Sequence, residues 1–179
     1  MTRLATKILA GIDLLNEYAG RMISWLTTAL VLVVCVDVTL RYLLSQTSAW
    51  IFELEWHMFS LIFLIGAAYT LKQDKHVRVD VFYDRYTPTQ KAWVNLLGTW
   101  LLLIPMCVVV IRGSGWYIDI SYTTMEGSPQ PGGLPYRFLI KSAIPFGYVL
   151  LLLQAIAETI RNLFILLGYP MPEAPATHQ

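Results

Sequence analysis

The stretch that decides the fold is Ala92-Trp93-Val94-Asn95-Leu96-Leu97-Gly98-Thr99-Trp100-Leu101-Leu102-Leu103-Ile104-Pro105-Met106-Cys107-Val108-Val109-Val110-Ile111, which carries no charge between Lys91 and Arg112. As a helix rising 1.5 Å per residue it matches a hydrocarbon core of roughly 30 Å. Working outward, three further apolar runs have similar length. Met22 to Leu40 lies between Arg21 and Arg41 and is interrupted by Asp37. Ala49 to Leu71 has Glu53, Glu55 and His57 in its first turns, and Ser142 to Leu163 carries Glu158 and Arg161 near its far end. The pattern predicts an all-α, polytopic membrane protein with about four transmembrane helices.

Composition points the same way. The 179 residues are 56% hydrophobic and only 14% charged, against about 25% charged in soluble domains. A very hydrophobic soluble core is the alternative, but bilayer solvent explains both the low charge and its clustering. The net charge of +1 offers no broad basic face, so nucleic acid is not an expected partner. Cys35 and Cys107 both fall within apolar runs and read as small buried hydrophobes, not as a disulfide or a metal pair.

The chain divides into an N-terminal segment 1–20, a four-helix membrane domain 21–165 and a C-terminal tail 166–179. Arg3 and Lys7 make a basic start, but no compact apolar core and small-residue cleavage site follow. Leu4, Ile8, Ile12 and Leu15 instead recur at helical spacing, with Lys7, Asp13 and Glu17 elsewhere on the wheel. Two outcomes are open: an amphipathic helix on the membrane surface, or an extended end of the first span.

With four spans, both termini share a side with the middle loop. That side holds Arg3, Lys7, Arg21, Lys72, Lys75, Arg78, Arg85, Lys91 and Arg161; the other holds Arg41, Arg112, Arg137 and Lys141. The excess predicts both termini in the cytoplasm. Trp25, Trp50, Trp93 and Trp116 fall near the ends of spans, where amphipathic indoles sit at the headgroups.

The middle loop, Lys72 to Gln90, alternates Val77, Val79 and Val81 with polar residues, as a short strand or a surface helix would. Arg112 to Tyr122 either prolongs the third span or lies flat outside it. Ser128-Pro129-Gln130-Pro131-Gly132-Gly133-Leu134-Pro135 is a turn-forming segment incompatible with helix. No internal repeat of the kind found in complete transporters is visible.

Polar groups within spans are costly and are therefore the candidates for function. Glu53 and His57 stand at i,i+4 and share a face with Ser60 and Ala67, while Glu55 points the other way. They read either as an ion or proton site or, at this shallow depth, as a rim pair that fixes the helix against a partner. Asp37 and Arg41 are also i,i+4 near the same boundary, as an intrahelical pair with Glu53 in reach as a third member. Gly66-Ala67-Ala68 would allow close helix packing, within the chain or with another subunit. Haem ligation needs two imidazoles at one depth, whereas His57, His76 and His178 fall at the outer rim, the middle loop and the tail. No metalloprotease, P-loop, dinucleotide or nucleophile-elbow motif is present, and no cofactor is expected.

These residues also carry a resemblance. Glu53-Leu54-Glu55-Trp56-His57, then Leu64-Ile65-Gly66-Ala67-Ala68-Tyr69, then His76-Val77-Arg78-Val79-Asp80-Val81 resembles the DctQ-type small membrane subunit of tripartite ATP-independent periplasmic (TRAP) transporters. Gly132-Gly133-Leu134-Pro135-Tyr136-Arg137, with Lys141, Pro145 and Gly147 beyond, resembles one branch of that family. The likeness covers roughly residues 20–165.

The resemblance implies a bacterial inner-membrane protein paired with a much larger permease subunit. A periplasmic binding protein would deliver the substrate, usually a carboxylate, and a sodium gradient would drive uptake. The large subunit would carry the substrate and sodium sites, and the small one would brace the static scaffold and help dock the binding protein. On this footing Glu53, Trp56, His57, Gly66, Ala67, His76, Arg78 and Asp80 are candidates for the subunit interface, His76 to Asp80 facing the large subunit or membrane lipids. Pro131, Gly133, Pro135 and Arg137 are candidates for docking, and Asp37 and Arg41 for an intramembrane polar pair. The competing expectations are a membrane anchor of a respiratory enzyme, or an autonomous small channel.

Overall fold

The computed structural model describes residues 2–46, 48–73 and 86–169. His76, Arg78 and Asp80, the strand-or-helix alternative for the middle loop and the tail from residue 170 lie outside the described residues. Within them the chain forms four long helices and no strand: α1 (Thr2–Leu44), α2 (Ala49–Lys72), α3 (Pro88–Thr123) and α4 (Phe138–Leu167), each long and apolar enough to cross a membrane.

Local sequence sets the helix ends. Thr87 caps α3 in a reciprocal box: its hydroxyl accepts from the Gln90 N–H at 3.4 Å, and the Gln90 side chain accepts from the Thr87 N–H at 2.9 Å, with Pro88 opening the helix. α4 stops at Gly168, whose φ of +69° lets Tyr169 N–H reach the Phe164 carbonyl at 3.0 Å. Arg112 to Tyr122 continues α3 without a break, which settles the alternative left by the sequence. Midway along α3, Thr99–Leu103 widens into one π turn just before Pro105.

The helices alternate in direction. The N-terminus of α1, the last turn of α2 and the C-terminus of α4 meet at one end of the bundle; the 124–137 loop folds over the start of α2 at the other. α2 and α4 form the central pair, α1 packs on both of them, and α3 packs on α4. Ala68, Leu71, Cys107, Leu150 and Leu151 form the central cluster. At the α2–α4 crossing, a Cβ on Gly147 would lie 2.7 Å from the Leu64 carbonyl oxygen, so only glycine allows this approach.

Several expectations are refined. Ala68 is fully buried and Ala67 packs against the core, whereas the space beside Gly66 is open to within 3.9 Å of Ile23. Cys107 is buried as expected, but Cys35 is exposed on the outer face of α1. Trp25, Trp50, Trp93 and Trp116 are all exposed on the bundle exterior.

The N-terminus takes the second of the two outcomes the sequence left open. Residues 2–20 continue straight into the first span as one 43-residue helix, roughly 64 Å long and about twice the hydrocarbon thickness. The apolar stripe is not its packed face: Leu4, Ile8 and Leu15 are exposed. Leu9, Ile12, Asp13 and Asn16 are buried, with Leu9 and Ile12 packed against Ala157, Leu153 and Ile160 of α4. Polar side chains turn inward because α4 and α2 offer partners there: Arg161, Gln154 and Lys72.

Candidate docking site at the loop end of the bundle

Glu53 is the organising residue. It sits in the second turn of α2 and is 4% exposed, so a carboxylate there must be fully satisfied. One oxygen accepts from the Ser128 hydroxyl, and the other accepts from the Leu134 N–H at 2.6 Å. The loop closes on itself around this anchor. Ser128 N–H donates to the Leu134 carbonyl at 3.1 Å, Gly133 N–H to Gln130 at 3.1 Å, and Gln130 N–H to the Ser128 hydroxyl at 3.0 Å. Gly132 takes φ +77°, and a Cβ on Gly133 would lie 2.3 Å from the Ser128 hydroxyl and 2.8 Å from the Glu53 carboxylate. The two glycines serve different ends: one turns the chain, and the other lets it reach Glu53.

A second anchor lies below. Glu126 accepts from Lys141 and lies 3.7 Å from Arg137, and the Arg137 N–H donates to the Glu126 carbonyl at 2.9 Å. The Lys141 hydrogen bond, with help from the Arg137 charge, holds the Glu126 carboxyl below the usual carboxylate range. The Lys141 ammonium also sits 4.0 Å above the Tyr117 ring, and the Arg137 guanidinium lies 5.8 Å from the centre of the Trp56 ring. Trp56 stacks on His57 at 3.9 Å, and the His57 Nδ1 hydrogen-bonds to the Glu53 backbone carbonyl.

Two groups of residues that sequence placed in separate roles thus form one site. Glu53 lies directly against Gly133 and Trp56 lies beneath Arg137, with His57 stacked on Trp56. Pro131 and Pro135 are exposed on the loop's outer surface, while Gly133 and Arg137 are half-buried beneath it. The expected Glu53–His57 side-chain bond is replaced by one to the backbone, because the Glu53 carboxylate is already occupied by the loop.

Asp37 and Arg41 do pair along α1. Glu53 is not their third member: it is Glu55, on the opposite face of α2, that lies within electrostatic reach of both. This follows from the 200° between adjacent-but-one helix positions, which aims Glu53 at the loop and Glu55 at α1.

The other end of the bundle holds polar contacts that sequence reasoning missed. Arg161 donates to both oxygens of Asp13 at 2.6 Å and to Glu158 at 2.7 Å. Lys72 binds Glu17 at 2.7 Å and the Asp13 carbonyl at 3.1 Å, and Asn16 donates to Gln154 at 2.8 Å in full burial. The available signal was the spacing of Asp13, Asn16 and Glu17, which puts three polar groups on one face. Among the described residues, no cluster of three or more His, Cys, Asp or Glu is placed to hold a metal ion.

Four apolar spans, a clamped Pro- and Gly-rich loop and a polar belt at the opposite end define a small multi-pass membrane subunit. A family model described as the DctQ component of tripartite ATP-independent periplasmic transporters matches residues 30–164, and the chain belongs to that family. It is an inner-membrane protein, the small membrane subunit of a three-part transporter. Comparison with curated proteins returned no match.

Proposed function

We propose that this subunit braces the large membrane subunit of its transporter and presents the 124–137 loop to the binding protein. The observation that carries the proposal is the Glu53 clamp. A buried carboxylate tying a hydroxyl and a backbone N–H of the loop holds exposed Pro131 and Pro135 in one arrangement, as a preformed recognition surface requires. The tight α2–α4 crossing at Gly147 supplies the stiffness behind it. In this reading the loop end is periplasmic, and both termini are cytoplasmic, in line with the Lys and Arg excess at that end. Sodium-driven uptake of a carboxylate, with both sites in the large subunit, is what the family resemblance supports.

The test is uptake by proteoliposomes containing both membrane subunits, titrated with binding protein. Arg137→Ala should raise the binding-protein concentration needed for half-maximal uptake while the two membrane subunits still purify together. Unchanged uptake at limiting binding protein would refute the docking role. Reporter fusions at each terminus test the orientation, and a periplasmic signal from either would reverse it.

A further inference from the structure

The π turn in α3 leaves a backbone carbonyl without a donor. In the widened turn the Ile104 N–H donates to the Thr99 carbonyl, five residues back. The Trp100 carbonyl would take Ile104 in an α pattern or residue 105 in a π pattern. Ile104 is engaged, and residue 105 is proline, which has no N–H. Among the described residues no side chain replaces the missing donor.

The position makes this orphan unusual. Leu101, the next residue, lies ten residues from Lys91 and eleven from Arg112, so the gap sits at the middle of the longest charge-free run. Water is absent at that depth, and an unsatisfied carbonyl facing lipid carries a cost that a neighbouring helix's donor would remove. Yet this stretch lies on the outside of the bundle: Trp100, Leu101 and Leu102 are 56%, 69% and 73% exposed, and Pro105 is exposed too. The opposite face, with Thr99 and Cys107, is the one packed inward.

We infer that the Trp100–Pro105 face of α3 is covered in the assembled transporter by a helix of the large subunit that carries a Ser, Thr, Asn or Gln donor at mid-membrane depth. Polar side chains of this kind bridge membrane helices to backbone acceptors, and π turns recur where function needs a helix to expose its backbone. The inference rests on the family assignment for the identity of the partner. What it adds is the location, the depth and the chemistry of the contact.

The test uses the complete membrane complex. A photoreactive benzoylphenylalanine replaces Leu101, and adducts are mapped by mass spectrometry after illumination. The expected result is a crosslink to a large-subunit helix bearing a hydroxyl or amide side chain within one turn of the adduct. If the complex remains intact and position 101 yields lipid adducts alone, or a helix segment with no such donor, the inference is overturned. If the unmodified chain retains no large subunit on purification, the family-based partnership itself fails, which is a separate result. As a second arm, Pro105→Ala restores the N–H and lets the helix close on itself. It should weaken subunit association roughly three- to ten-fold, the range of a single interhelical hydrogen bond in a membrane. Undiminished association with the π turn lost would count against the contact.

Discussion

The two ends of the bundle hold their long-range polar contacts differently. At the loop end the anchor carboxylate, Glu53, is satisfied by neutral donors, a hydroxyl and a backbone N–H from a segment more than seventy residues away, while the ion pairs there, Glu126 with Lys141 and Asp37 with Arg41, stay local. At the terminal end, charges are satisfied by opposite charges: Asp13 and Glu158 by Arg161, and Glu17 by Lys72. The difference teaches what each end is for. Neutral donors fix the shape of a loop without welding helices together, whereas ion pairs between α1, α2 and α4 lock helices whose apolar faces gain nothing by meeting in lipid.

The contrast can be broken most forcefully at Arg161. Arg161→Met leaves buried Asp13 without its arginine, which costs about 3–5 kcal/mol when one partner of a buried pair is removed. The expected outcome is a large fall in thermal midpoint in detergent and release of the N-terminal third of α1 to proteolysis. A midpoint within a degree or two of the parent would show the network to be dispensable.

Glu53→Gln should act on the loop and spare the bundle. The Gln oxygen can still accept from the Leu134 N–H and its NH₂ can donate to the Ser128 hydroxyl, but both bonds lose the strength the charge gave them, about 1 kcal/mol each. Cleavage within the loop should accelerate while helix unfolding stays near the parent value, and Glu55→Gln should leave loop cleavage unchanged. Gly133→Ala should act similarly through steric overlap with Ser128 and Glu53, at about 1–3 kcal/mol locally. If either variant unfolds the bundle as readily as Arg161→Met, the division between the two ends is wrong.

Smaller effects sharpen the picture. Asp37→Asn removes an intrahelical pair whose arginine is half-exposed, so it should change stability by less than about 1 kcal/mol. Acid should loosen the loop first. The Glu126 carboxyl is held below its ordinary range, so its contribution is complete above the ordinary carboxylate range and fades as pH falls through and below it. Loop proteolysis by an acid-active protease should therefore rise at the acid end of its range, and Glu126→Gln should reduce that dependence.

The spans were legible because length and charge spacing are local properties: Ala92 to Ile111 announces a membrane helix without reference to anything else. The loop was legible as a turn from its glycines and prolines. Its anchor was not, because the Glu53–Leu134 bond joins residues that only tertiary structure brings together. The partners of the N-terminal segment were not legible either. The stripe Leu4, Ile8, Ile12 and Leu15 shows helical periodicity, but not that the polar residues beside it meet Arg161, Gln154 and Lys72 across the bundle. Only Ile12 of the four is buried, and the polar Asp13 and Asn16 lie beside it. Likewise, the π turn at Thr99–Leu103 was concealed in an uninterrupted apolar run, where Pro105 was its only mark.

The most direct test of the account is uptake by proteoliposomes holding the large membrane subunit, with and without this chain, in the presence of the binding protein and a sodium gradient. The account predicts substrate accumulation only when both membrane subunits are present, and none from this chain alone. Equal uptake by the large subunit without this chain, or transport by this chain by itself, would contradict it.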